Sequence, residues 1–177
     1  MHDSTERTAN LLGAAALTIT DRLLDAASDA AGSSTSGSAA LTTLAAYSGL
    51  GVTELGERVG LSQPAAARMV DSLAARGLVE RQSGTNGRSV AVHLTTSGRA
   101  AARRVLLARG HELTALVERL DADERAVLVR GLEKILDRLF DEVGSEHVLC
   151  RLCDRGACTA GHATCPVGQA ARERGGG

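Results

Sequence analysis

Two short helical segments joined by a tight turn, then a two-stranded hairpin, with long amphipathic helices on either side, predict a mainly α protein: a winged helix-turn-helix with a two-stranded β wing and long dimerisation helices. The paired helices show in Val52, Leu55 and Val59 on one helical face, Gly60 at the turn, and Met69, Val70 and Leu73 on the next face. The hairpin shows in Asn86-Gly87 between two apolar runs. The flanks show in Leu12, Ala15, Ala16, Ile19 and Leu23 before the unit and in two long leucine-rich segments after it.

Taken in order, residues 4–30 read as an amphipathic helix. The stretch Gly32 to Ser38 reads as a linker, with Ser38 placed to cap the next helix, whose Leu41, Leu44 and Ala45 run toward Gly49. Thr53 or a neighbour begins the third helix, and Gly60 suits the left-handed residue that ends it. Ser62 is a good N-cap for the fourth, and Pro64 in its first turn sacrifices no hydrogen bond. Gly77 followed by Leu78 predicts a Schellman-type stop. Leu78–Gln82 reads as one strand; Val90, Val92 and Leu94, alternating with Ala91 and His93, read as its half-buried partner.

Thr96 or Ser97 caps the next helix, which runs to about Leu120 with Leu106, Leu113, Leu116, Val117 and Leu120 on its seam. Gly110 inside it costs about 1 kcal/mol relative to alanine. Asp121 or Asp123 starts the last long helix. There Leu128, Leu132, Ile135, Leu136, Leu139, Phe140 and Val143 form a stripe too wide and regular to leave in water, and helix-mediated dimerisation is the economical explanation.

The chain has 177 residues, 44% hydrophobic and 23% charged, as expected of a soluble globular protein with one domain or a domain plus an appendage. Tyr47 and Phe140 are its only aromatics, which argues against proteins that stack single-stranded bases on ring platforms. No segment reaches the ~18 apolar residues of a membrane span. The apolar run Leu11–Ile19, preceded by Asp3 and Glu6, makes a poor secretory signal, so a cytoplasmic protein with reduced thiols is expected. The net charge of −1 requires any nucleic-acid contact to come from a local basic surface.

The run from Thr53 through Leu73, then Arg76-Gly77-Leu78-Val79-Glu80-Arg81, then Gly87-Arg88 and His93-Leu94-Thr95-Thr96-Ser97-Gly98, resembles the MarR (multiple antibiotic resistance regulator) family in order and spacing over about residues 5–145. The resemblance implies a winged-helix transcription factor, usually a repressor, in which the N-terminal helix and the last two helices pair two chains. It implies a recognition helix in the major groove, a wing at the minor groove, and small acidic or aromatic effectors bound between the dimerisation and DNA-binding parts. The family wing commonly carries Asp-x-Arg; here it is Asn86-Gly87-Arg88, so the arginine remains without the aspartate that often orients it.

By position, Ser62, Gln63, Ala65, Ala66 and Arg68 stand at the start of the recognition helix. Gln63 suits adenine, Arg68 guanine or a phosphate, and the two alanines keep the helix slim enough to approach base edges or touch a thymine methyl. Ser62 at a helix N-terminus suits a phosphate. Arg88 suits a narrow minor groove, while Arg76 and Arg81 suit phosphates. For a lone arginine an ordinary solvated role is the commoner reading; the helix-turn-helix and wing context favours contact at Arg68 and Arg88. Between Leu61 and Val90 the balance is +2 against −1 for the whole chain, so the expected double-stranded DNA site is short and salt-sensitive. A homodimer would set two recognition helices ~34 Å apart on a pseudo-palindromic operator.

The four cysteines, Cys150, Cys153, Cys158 and Cys165, lie within sixteen positions at spacing C-x2-C-x4-C-x6-C. Cys150-x2-Cys153 is a common metal-knuckle spacing; Gly156 and Gly161 supply turns before the later ligands, and His147 and His162 are spare ligands. Four thiolates at this spacing suit zinc first, with an iron–sulfur cluster as the alternative; a thiol switch or an unstructured tail without metal stays open. Cys165-Pro166 echoes the ending of bacterial cluster motifs, but the preceding spacings differ from those of ferredoxins.

The expected organisation is therefore residues 1–36 as N-terminal dimerisation helix and linker, 37–96 as the winged helix-turn-helix, 97–145 as dimerisation helices, 146–174 as a metal-binding tail, and 175–177 as a disordered end. The expected function is a homodimeric, sequence-specific repressor whose four-cysteine tail binds metal and senses metal or redox state. The alternative is a winged-helix protein-interaction module with a structural zinc tail. No Ser/His/Asp set, phosphate loop or His-rich catalytic metal motif suggests an enzyme.

Overall fold

The computed structural model describes residues 2–83 and 90–175. Asn86, Gly87 and Arg88, the expected wing tip, lie outside the described residues. Helix α1 (His2–Ala31) enters the main core through Ala27 and Ala31, and α5 (Thr96–Val117) lies along it, contributing Ala101, Ala102 and Val105. Small side chains on both helices permit a close approach. An Arg22–Glu112 ion pair and a hydrogen bond from Arg104 Nε to the Ala30 carbonyl (3.0 Å) fix their alignment.

Helix α2 (Thr35–Ala46) starts earlier than the serine-rich sequence suggests. Ser34 is its N-cap, accepting from the Gly37 amide at 3.2 Å. Ser38, expected to be the cap, is instead fully buried inside α2, and its hydroxyl donates to the Ala27 carbonyl of α1 at 3.0 Å. A buried hydroxyl with a partner on the neighbouring helix is tolerated there, so the linker shrinks to residues 32–34.

Strand β1 (Leu50–Gly51) leads into α3 (Val52–Arg58), and α4 (Gln63–Ala75) follows the Gly60 turn, where φ is +75°. Gly77, at φ +65°, stops α4 as expected. Its amide donates to the Ala74 carbonyl and that of Leu78 to the Leu73 carbonyl, both at 2.9 Å, which is the Schellman pattern. Strands β2 (Val79–Ser83) and β3 (Val90–Leu94) pair antiparallel from Val79–Leu94 to Ser83–Val90. The sheet has three strands, not two, in the order β1-β3-β2, with Leu50 opposite Val92. Two residues show no alternation, so β1 leaves no trace in the sequence pattern. Val92 and Leu94 are buried as expected, while Val90 is exposed.

Thr95, not Thr96 or Ser97, caps α5. Its Oγ1 accepts from the Gly98 amide (3.0 Å) and donates to the Gly77 carbonyl (2.7 Å), joining the start of α5 to the end of α4. Helix α5 ends at Val117, short of Leu120. Asp121 and Glu124 form a capping box at α6 (Ala122–Val143). In the single chain the α6 stripe faces solvent: Leu128, Leu132, Ile135, Leu139 and Val143 are 37% to 43% exposed. Leu116 and Val117 of α5 are exposed too.

Beyond Gly144 the chain forms α7 (Glu146–Leu149), α8 (Arg155–Cys158), a single 3-10 turn over Ala160–His162, and α9 (Pro166–Gly175). Gly156, expected in a turn, lies within α8, while Gly161 has the left-handed φ of +64°. Gly175, expected to be disordered, ends α9.

A Cβ at Gly98 would overlap the Leu78 carbonyl, whereas one at Gly110 would meet nothing within 4 Å. Gly98→Ala should therefore lower unfolding stability by about 2–3 kcal/mol, and Gly110→Ala should raise it by about 0.5–1 kcal/mol, as read from urea midpoints.

Candidate functional site

Helix α4 presents Ser62, Gln63 and Arg68 to solvent, with Ala65 partly exposed. Among the described residues Ser62 makes no capping bond with its side chain, so its hydroxyl is available beside the first amides of α4. Ala66 does not belong to this face. It is 0% exposed, and a Cβ on Gly56 of α3 would come within 2.6 Å of its methyl group. Ala66 is the contact on which α3 and α4 cross, three and four positions before Met69 and Val70 and on the same buried stripe. That spacing is the signal by which the sequence alone could have removed it from the DNA face.

The arginines differ in what they already hold. Arg81 pairs with Asp71 at 2.7 Å, which fixes β2 against α4 and offsets part of the local positive charge. Arg76 reaches back to the Ala31 carbonyl at 3.4 Å, a favourable place for a cation at the C-terminal end of α1. Arg68 makes no ion pair among the described residues and points outward from α4. Arg88 lies outside the described residues.

The tail brings its four thiols together. Cys150, Cys153, Cys158 and Cys165 line one cavity, shared with Thr42, Tyr47, His147 and Arg155. On the other side the same four line a cleft against Leu23 and Leu24 of α1, Arg109 of α5 and Leu136 of α6. Cys150 and Cys153 influence each other most strongly, and Cys158 is influenced by both Cys153 and Cys165. The neighbouring Cys153 draws the Cys150 thiol below its ordinary pKa. Cys150, then burial, pushes the Cys153 thiol up, and burial beside the other sulfurs pushes Cys158 up to about 11. The Gly168 amide donates to Cys165 Sγ at 3.4 Å at the start of α9.

In its donor atoms this cluster fits a tetrathiolate centre. Among the described residues, however, no group of three or more His, Cys, Asp or Glu side chains stands in metal-holding geometry. His147 borders the cavity, and its ring meets Tyr47 edge-on with centroids 5.6 Å apart. Burial, and then the nearby Arg58 charge, lower its pKa. His162 is exposed in the 3-10 turn and borders neither face of the thiol cluster.

Residues 38–90 match the family model described as MarR family. Over those residues the chain is similar to the MarR family. The reduced form of MarR from E. coli superposes with a TM-score of 0.60 at 29% identity, covering 72% of this chain and 95% of that one. A Mycobacterium tuberculosis MarR family protein gives 0.57 at 25%, covering 71% and 91%. YusO from Bacillus subtilis shares the fold, with a TM-score of 0.67 at 23% identity over 76% and 96% of the two chains. No curated protein sequence matches this chain. The fold is that of a MarR-family transcription regulator.

Nothing in the sequence pattern marked the ring of residues on which the tail docks. Tyr47 lies under the Arg58 guanidinium, 4.4 Å from its ring centroid, and accepts a hydrogen bond from Arg155 Nη1. Thr42 Oγ1 donates to the Arg151 carbonyl at 3.0 Å. A lone tyrosine flanked by small residues gives no periodic signal, though its rarity in this chain was a hint.

Since Ala66 is a packing residue, Ala66→Val should cost about 1–3 kcal/mol by crowding Gly56. A lower thermal midpoint is the expected result. Unchanged stability with altered operator sequence preference would return Ala66 to the DNA face.

Proposed function

We propose that this chain is a sequence-specific DNA-binding transcriptional regulator, a homodimeric repressor of a pseudo-palindromic operator. In this reading its four-cysteine tail binds zinc, with an iron–sulfur cluster as the alternative occupant, and senses metal or redox state. The observation that carries the DNA-binding part is α4 itself: held against α3 by the Ala66–Gly56 contact, it turns Gln63 and Arg68 outward on a MarR-family winged helix. That face is polar and cationic, as base and phosphate contact requires, and is neither apolar nor acidic as a protein-docking helix would be. The exposed α6 stripe supports pairing of two chains, because apolar surface arranged so regularly gains most by meeting its own copy. Arg99 and Arg103, lining a cleft with Ser48 and His93 between α2, the sheet and α5, suit a small acidic effector.

On a duplex selected by the protein from a random pool, Arg68→Ala should weaken binding and reduce the slope of log affinity against log salt by about one. Arg88→Ala should do the same at the wing. Affinity and slope unchanged in both variants would overturn the DNA-binding reading.

A further inference from the structure

The tail touches both halves of the molecule, and it does so on either side of the thiol cluster. Toward the DNA-reading half, Val148 lies against the Gly60 turn between α3 and α4, Leu152 packs on the main core, and Arg155 and His147 hold Tyr47 beside Arg58 of α3. Toward α6, Val167 and Ala170 of α9 enclose Phe140, while Arg174 pairs with Asp137 at 3.0 Å and Asp141 at 2.6 Å. The four cysteines stand between these two sets of contacts, at the ends of α7, α8 and the turn before α9.

From this placement we infer that the loaded four-thiol centre is a coupling lock, which ties the α3–α4 reading unit to α6 and holds the regulator in its operator-binding form. The inference rests on the proposed reading of the thiols as a metal centre in a DNA-binding protein. Segments of four residues such as α7 and α8 do not stay helical alone, so residues 146–165 depend on bonds from outside their own helices, and the loaded centre would supply a set of them. If the centre is lost, Arg155 and Val148 lose the frame that presses them on Tyr47 and Gly60.

Arg58 Nη1 is buried without a hydrogen-bond partner among the described residues, over a ring that the tail helps to cover. Releasing the tail returns that nitrogen to water, so the docked state depends on the tail being held. Free tails leave the two reading units of a dimer to be ordered at the moment of DNA binding, which weakens affinity.

The test is hydrogen exchange on the full chain purified anaerobically, before and after stripping with a chelator, with metal content measured in each sample. Stripping should speed exchange severalfold in residues 146–165 and also in residues 42–60. It should weaken binding to the selected duplex about tenfold. Arg155→Ala should keep its metal and the slow exchange of 146–165, yet show residues 42–60 exchanging as fast as in the stripped protein. Faster exchange confined to 146–165, with 42–60 unchanged, overturns the coupling while leaving the metal reading intact. A chain that holds no metal and takes up no added Zn2+ overturns the metal reading, and the lock with it. If no duplex is enriched, the DNA-binding reading fails and the exchange pattern alone decides the coupling.

Discussion

The arrangement of this molecule depends on a segment with almost no core of its own. Between Ser145 and Pro166 the apolar side chains are few, the helices are a single turn long, and the residues that anchor them sit on other elements. Such a stretch stays in place through its contacts with other elements, among them Thr42 with the Arg151 carbonyl and Tyr47 with Arg155. Within it the four cysteines line one cavity, and under the proposed metal reading they would add bonds of their own.

The use of aromatic residues points the same way. A chain with one tyrosine and one phenylalanine places both under the tail, Tyr47 on the reading side and Phe140 on α6. Each ring also carries an arginine from the tail, Arg155 in one case and Arg174 in the other. An aromatic face with a cation against it adds a directional contact to ordinary burial. The main core manages without rings, on Leu41, Leu44, Leu55, Leu73 and small alanines that let α1 and α5 approach closely.

Much of this was legible in the amino-acid sequence because local signals agreed with the tertiary outcome. Gly60, Pro64 and Gly77 punctuate the paired helices, Asp121 marks the start of α6, and the α4 stripe gives the face that turns inward. Where the sequence misled, the deciding partner was distant along the chain. Ser38 is drawn into α2 by a carbonyl of α1, and Ala66 is buried by a glycine ten residues earlier. The cysteine spacing was plain, but not where the tail docks: Val148, Leu152 and Val167 are single apolar residues with no period to betray a face.

Whether four thiolates of one chain enclose a metal at the junction of the two halves is open to direct measurement. X-ray absorption at the metal edge of the anaerobically purified full chain reads the ligands themselves. The expected result is a first shell of about four sulfur atoms at about 2.3 Å, with one zinc per chain or an iron–sulfur cluster as the occupant. A first shell dominated by nitrogen or oxygen, or a chain that carries no metal at all, would contradict it.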